Sequence, residues 1–185
     1  MPVKRFTIMT ILVPLFTALV AAGAFIKIPL GAVPITLQTL FCFLAALLLS
    51  AKYSTLSIAL YLFLGAIGLP IFTSGGGFAA LFGPTGGFLL GMLPAVCVGS
   101  LMASKKRGNI LYNVCVLLVM EVFIYGIGVP YLAISRSMPM QKALMAGLVP
   151  FIPGDILKIA IAAISAKYLY PECEKLKQRI VKDDN

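Results

Sequence analysis

Read for its apolar and polar positions, the chain is a succession of long apolar runs separated by short charged or glycine-rich breaks. Residues 7–25 carry no charge over 19 positions, enough for a helix across the hydrocarbon core of a bilayer. Residues 34–51 follow, opened by Pro34, a favoured first helical residue, and would extend about 27 Å at 1.5 Å per residue. Lys52-Tyr53 marks a turn, and residues 54–69 return to stop at Gly68-Leu69-Pro70. A fourth run spans 85–104, a fifth 109–129 and a sixth 153–170, with a short helix predicted at 141–149. The pattern predicts an all-α membrane protein with six transmembrane helices in a single domain over residues 1–170, and a charged tail over 171–185.

The break at 65–91, reading GAIGLPIFTSGGGFAALFGPTGGFLLG, departs from that pattern, with nine glycines, two prolines and no charge. Glycine and proline both oppose helix interiors, so it is not one regular helix. Nor is it a lipid-exposed loop, because unpaired backbone groups in hydrocarbon cost several kcal/mol each; it must pack on protein or line a cavity. Gly75, Gly76 and Gly77 are therefore candidates for the wall of a ligand site. Downstream, Gly83, Gly87, Gly91, Ala95, Gly99 and Ala103 recur every four residues and lay a face of small side chains along the fourth helix. Thr10, Pro14, Ala18 and Ala22 do the same on the first. Such faces let helix backbones approach closely in lipid, either as an internal seam or as an interface with another protein.

Composition agrees: 61% of the residues are hydrophobic, 11% are charged and the mean hydropathy is +1.04. An excess of 15 Lys and Arg over 6 Asp and Glu would suggest nucleic acid in a soluble protein; in a membrane protein it reports topology, and no nucleic-acid partner is expected. Assigned alternately to the two sides of the predicted spans, eleven basic residues fall with the termini and three opposite, with Lys158 inside a span. The positive-inside rule then places both termini in the cytoplasm, and the loop at 26–33, the glycine-rich stretch and the start of the sixth helix together on the outer face. Ala22-Gly23-Ala24 imitates a signal-peptidase site, but the preceding apolar run exceeds the 7 to 15 residues of a signal core, so a retained span is the reading adopted.

Little conventional catalytic chemistry is available. The chain has no histidine, no phosphate-loop motif and four widely spaced cysteines, Cys42, Cys97, Cys115 and Cys173, without metal-ligand spacing. Its informative polar groups are few. Asp155 and Lys158, in PFIPGDILK, stand three residues apart and so on one helix face. They form either a structural ion pair near the interface or a ligand site in which Asp155 accepts from N–H donors and Lys158 donates to a carbonyl or carboxylate. Gln38, in VPITLQTL, can donate and accept from the outer end of the second helix, or cap a backbone break. Glu121, about two thirds along the fifth span, is a functional candidate because a carboxylate within a membrane is costly; pairing with Lys158 and a protonated packing role are the alternatives.

The combination of VPITLQTL, GLPIFTSGGGFAALFGPTGGFLLG and PGDILK, in that order, resembles the BioY family, the biotin-specific S components of energy-coupling factor (ECF) transporters. The likeness runs from the first helix to Tyr170. It implies a membrane subunit of a prokaryotic plasma membrane that binds biotin at the outer face. It also implies uptake driven by a transmembrane coupling subunit and two ATPase subunits, consistent with the missing nucleotide motif. Biotin is then the transported ligand and no cofactor is implied. By motif, Asp155 and Lys158 would hold the ureido ring, the loop from Ile26 to Gln38 would close the site, and the glycine-rich stretch would form another wall. Phe72, Phe78, Phe82 or Tyr125 would supply apolar contact; Lys27, Arg136 or lid backbone N–H groups would meet the valerate carboxylate. Ala18 and Ala22 match the alanine pattern through which S components contact the coupling subunit. Against this stand a stand-alone secondary carrier or channel, disfavoured by the lack of a visible inverted repeat, and an intramembrane enzyme, disfavoured by the lack of a nucleophile–base spacing.

Overall fold

Residues 2–29, 33–106 and 108–183 are described by a computed structural model, with side chains for 11–29, 33–106, 108–173 and 175. The tip of the loop predicted at 26–33 (residues 30–32), Arg107 and the side chain of Thr10 lie outside the described residues. The chain is a helical bundle built from α1 (Pro2–Phe25), α2 (Gln38–Leu48), α3 (Ala51–Ala66), α5 (Gly86–Ala103), α6 (Ile110–Ser135) and α8 (Ile152–Asp183). Two short helices, α4 (Phe78–Leu81) and α7 (Met140–Gly147), and a two-stranded hairpin, β1 (Lys27–Ile28) with β2 (Ile35–Thr36), complete it. Among the described residues, three segments are long and apolar enough to cross a membrane: Gly86–Ala103, Ile110–Ser135 and Met140–Cys173.

The axis of the bundle is α2, eight of whose eleven residues are buried; it packs on α1, α5 and α8. After Gln38 and Thr39 its residues are all apolar, so it has no further polar group to place, and it packs on helices on several sides. At about 1.5 Å per residue its length is only about 16 Å, less than the hydrocarbon thickness.

That shortness corrects the start expected at Pro34. Ile35 and Thr36 instead pair antiparallel with Ile28 and Lys27, and the Leu37 N–H donates to the carbonyls of Gly23 (3.1 Å) and Ile26 (3.2 Å). Backbone groups committed to a hairpin cannot open a helix, so Gln38 is the first helical residue rather than one turn inside. Two other boundaries move outward. α6 continues through Pro130 to Ser135, and α8 through Pro171 to Asp183, where a break at Val129 and a tail after Tyr170 were predicted. A proline removes one hydrogen bond and crowds one carbonyl, a local cost that α6, packed on its neighbours, absorbs at Pro130; Pro171 is exposed, and nothing in the structure explains the continuation there.

The small-residue face of α5 meets α6, in the most extensive helix–helix packing of the molecule. A Cβ on Gly91 would lie 3.1 Å from the Ile124 Cα, and one on Gly87 would overlap the root of the Tyr131 side chain, so backbone contact requires glycine at both. Gly87→Ala is therefore expected to cost about 1–3 kcal/mol by overpacking and to lower the melting temperature in detergent. Gly126→Ala, on the exposed face of α6 with open space before its Cβ, is expected to leave that temperature unchanged or raise it. Equal losses in the two variants would show that the seam does not depend on close approach.

Candidate ligand-binding site

The starts of α2, α5 and α8 and the middle of α6 converge around a cavity that is partly open to solvent. The β1–β2 hairpin covers it with Val33, Pro34 and Thr36, and the loop after α3 contributes Thr73. Lys27, on β1, donates to the Thr73 carbonyl at 2.8 Å and so latches hairpin to loop.

The polar end of the cavity belongs to α8. A 3₁₀ turn at Val149–Phe151 leads into the helix, so Asp155 falls in its first turn, where the backbone N–H groups and the helix dipole favour a carboxylate. Lys158 follows one turn later and donates to Asp155 Oδ1 at 2.9 Å and to Thr39 Oγ1 at 3.1 Å. Tyr125 donates its hydroxyl to Asp155 Oδ2. The ions are 6% and 5% exposed, so each needs these partners: an unpaired buried charge costs several kcal/mol. The Tyr125 ring stands edge-on to Phe88 (6.1 Å between centroids) and Phe151 (6.4 Å), which hold its hydroxyl toward α8. Leu89, Met92 and Ile124 make the remaining wall apolar, and the Gln38 amide reaches the Met92 sulfur at 3.3 Å. One wall thus offers a carboxylate, an ammonium and hydroxyls side by side, and the others offer aromatic and aliphatic surface. This suits a small molecule with adjacent donors and acceptors on an apolar body.

Of the predicted site residues, Asp155, Lys158, Gln38 and Tyr125 come together on the cavity wall. Glu121 does not line it; the carboxylate is buried one turn earlier on α6, and Lys158 is paired with Asp155 instead. Gly75, Gly76 and Gly77 are also off the wall. Phe72 and Gly75 exchange both backbone hydrogen bonds across Thr73-Ser74, Gly75 and Gly77 take positive φ of 111° and 86°, and Gly77 N–H bonds to the Gly65 carbonyl at 2.7 Å. These glycines build the tight turn that carries Thr73 to the cavity rather than facing it themselves. Phe82 is 59% exposed and stacked on the exposed Phe78 at 6.3 Å, and Phe72 is buried against Tyr61 and Gly65, so none of the three phenylalanines reaches the cavity.

Sequence reasoning missed Thr39, Thr36, Thr73 and Thr85, and the aromatic pair Phe88 and Phe151. Four threonines beside helix starts or turns, all on the side of Asp155, were an available signal.

Comparison with known proteins adds an independent line. The model of the BioY family matches residues 1–175. A protein of Thermotoga maritima named biotin transporter BioY is 43% identical over 153 residues, covering 82% of this chain and 89% of its own. A probable biotin transporter BioY of Pyrococcus horikoshii is 38% identical over 159 residues, covering 85% and 93%. A crystal structure described as the S component for biotin from an ECF-type ABC transporter superposes with a TM-score of 0.82 at 30% identity, covering 89% of this chain and 92% of that one. With the family matched over nearly its whole length and relatives above 30% identity across four fifths of it, the chain belongs to the BioY family.

Proposed function

We propose that this chain is the membrane subunit that captures biotin for an ECF-type uptake transporter. It would span the plasma membrane of a prokaryote six times with both termini inside, its single domain covering residues 1–170 and the segment 171–185 lying in the cytoplasm. The observation that carries this reading is the Asp155–Lys158–Thr39–Tyr125 network on the wall of an otherwise apolar cavity, in a chain 43% identical to a named biotin transporter. Biotin presents a ureido group with two N–H donors and a carbonyl on fused rings with an aliphatic chain. The donors match the Asp155 carboxylate and the carbonyl matches Lys158, while Phe88, Met92, Ile124 and Phe151 receive the apolar body. Lys27, anchored at the rim through Thr73, supplies a cation on the hairpin for the valerate carboxylate.

Charge placement supports the orientation: eleven basic residues lie on the proposed inner side against three on the outer, which puts the cavity mouth outside. The chain carries no phosphate-loop motif, so energy would come from a coupling subunit and two ATPases. Ala18 and Ala22 are exposed on α1 beside the exposed Ile11 and Leu15, an apolar stripe with small residues suited to close helix contact in lipid. The role is transport, without a chemical step on the substrate.

Titration of the purified chain with biotin is expected to show saturable binding, weakened at least about tenfold by Asp155→Asn, which removes a charge-assisted acceptor. No binding by the parent would overturn the function, and unchanged affinity in the variant would overturn the site. Leucine at Ala18 and Ala22 is expected to leave biotin affinity within about twofold while abolishing co-purification with the coupling subunit. Loss of biotin binding with assembly intact would place the interface elsewhere.

A further inference from the structure

The network around Asp155 leaves out one carboxylate. Glu121 is 8% exposed, and among the described residues neither of its oxygens has a hydrogen-bond partner. Stranding a buried polar group destabilises the fold that holds it, so this one is expected to find its partner in another arrangement of the site. Its surroundings identify that partner. Asp155 and Lys158, from α8, lie within electrostatic reach of Glu121, as does Cys42 from α2. Lys158 is already committed to Asp155 and Thr39, and the Cys42 thiol is a weak donor. Tyr125 is four residues further along α6, and long helical side chains lean back over the preceding turn, toward position 121. Its hydroxyl occupies Asp155 Oδ2 while Lys158 occupies Oδ1, so both oxygens of the ligand-facing carboxylate are engaged within the protein.

We propose that Glu121 is a positioning residue that receives the Tyr125 hydroxyl when ligand N–H groups take Asp155. The hydroxyl then exchanges one carboxyl acceptor for another, Asp155 Oδ2 is freed for the ligand, and one of the two unpartnered Glu121 oxygens gains a donor. Glu121 acts through Tyr125 and does not touch the ligand, in keeping with its place off the cavity wall. The inference rests on the reading of this cavity as the biotin site.

The test measures two quantities on the full chain in detergent: the melting temperature without biotin and the biotin dissociation constant. Five proteins are compared, namely the parent, Glu121→Leu, Glu121→Gln, Tyr125→Phe and Glu121→Leu combined with Tyr125→Phe. Glu121→Leu is expected to melt no lower than the parent, because it removes an unpartnered group, yet to bind biotin about tenfold more weakly. Glu121→Gln, whose amide oxygen still accepts, should recover affinity to within about threefold of the parent. In the Tyr125→Phe background Glu121→Leu should have no further effect, since no hydroxyl remains to be received. Unchanged affinity in Glu121→Leu, the same loss with and without the Tyr125 hydroxyl, or a melting temperature several degrees lower without biotin would each overturn the proposal. Failure of the biotin reading looks different: the parent itself would not bind, and the melting comparison would still decide whether Glu121 has a structural partner.

Discussion

Two opposite charges buried one turn apart on α8 set the terms for what packs around them. A carboxylate and an ammonium in the interior of an apolar bundle survive only if they meet each other and if their remaining hydrogen-bonding capacity is met by neighbours. Thr39 from α2 and Tyr125 from α6 meet part of it, which fixes how those two helices face α8. Because α2 contributes from its first turn, it must begin at the depth of the pair, and the hairpin that delays its start becomes the natural cover. The partners have to be brought within reach in turn. Close packing of α5 on α6, permitted by Gly87 and Gly91, places Phe88 beside Tyr125 and holds the phenol upright.

The membrane context makes this logic sharper. Between helices in lipid there is little hydrophobic driving force, so association depends on close packing and on polar groups that find partners inside the protein. The bundle uses both separately: small-residue packing along α5 and α6, polar contact among α2, α6 and α8. The cavity lies where the two meet, at the ends of α2, α5 and α8 that share the side of the hairpin. The latch between Lys27 and Thr73 joins hairpin to loop at the rim of that cavity, apart from the packed seam.

Much of this was legible in the sequence. The helices followed from apolar runs, the seam from its four-residue period, and the polar pair from two charges in an apolar segment; each is a local signal. What escaped depended on contacts between distant segments. Nothing in 34–51 says that Ile35 will find Ile28, so the helix was expected to start at Pro34. Pro130 reads as a break because local propensity counts its cost, whereas the packing of α6 on its neighbours absorbs it. Gly75, Gly76 and Gly77 were rightly seen as something other than helix, but glycine reports backbone freedom and not which surface the backbone faces. Thr39 was overlooked because threonine is ordinary in an apolar helix until a lysine 119 positions away needs an acceptor.

The continuity of α8 has a mechanical side. From Asp155 to Asp183 the helix runs without interruption, roughly 42 Å at 1.5 Å per residue, close to the full thickness of a bilayer with its headgroups. A helix is stiff along its axis, so the buried Asp155–Lys158 pair and the helix end at Asp183 sit on a single lever. A tilt of that lever about its middle would carry its two ends in opposite directions, with no loop between them to absorb it.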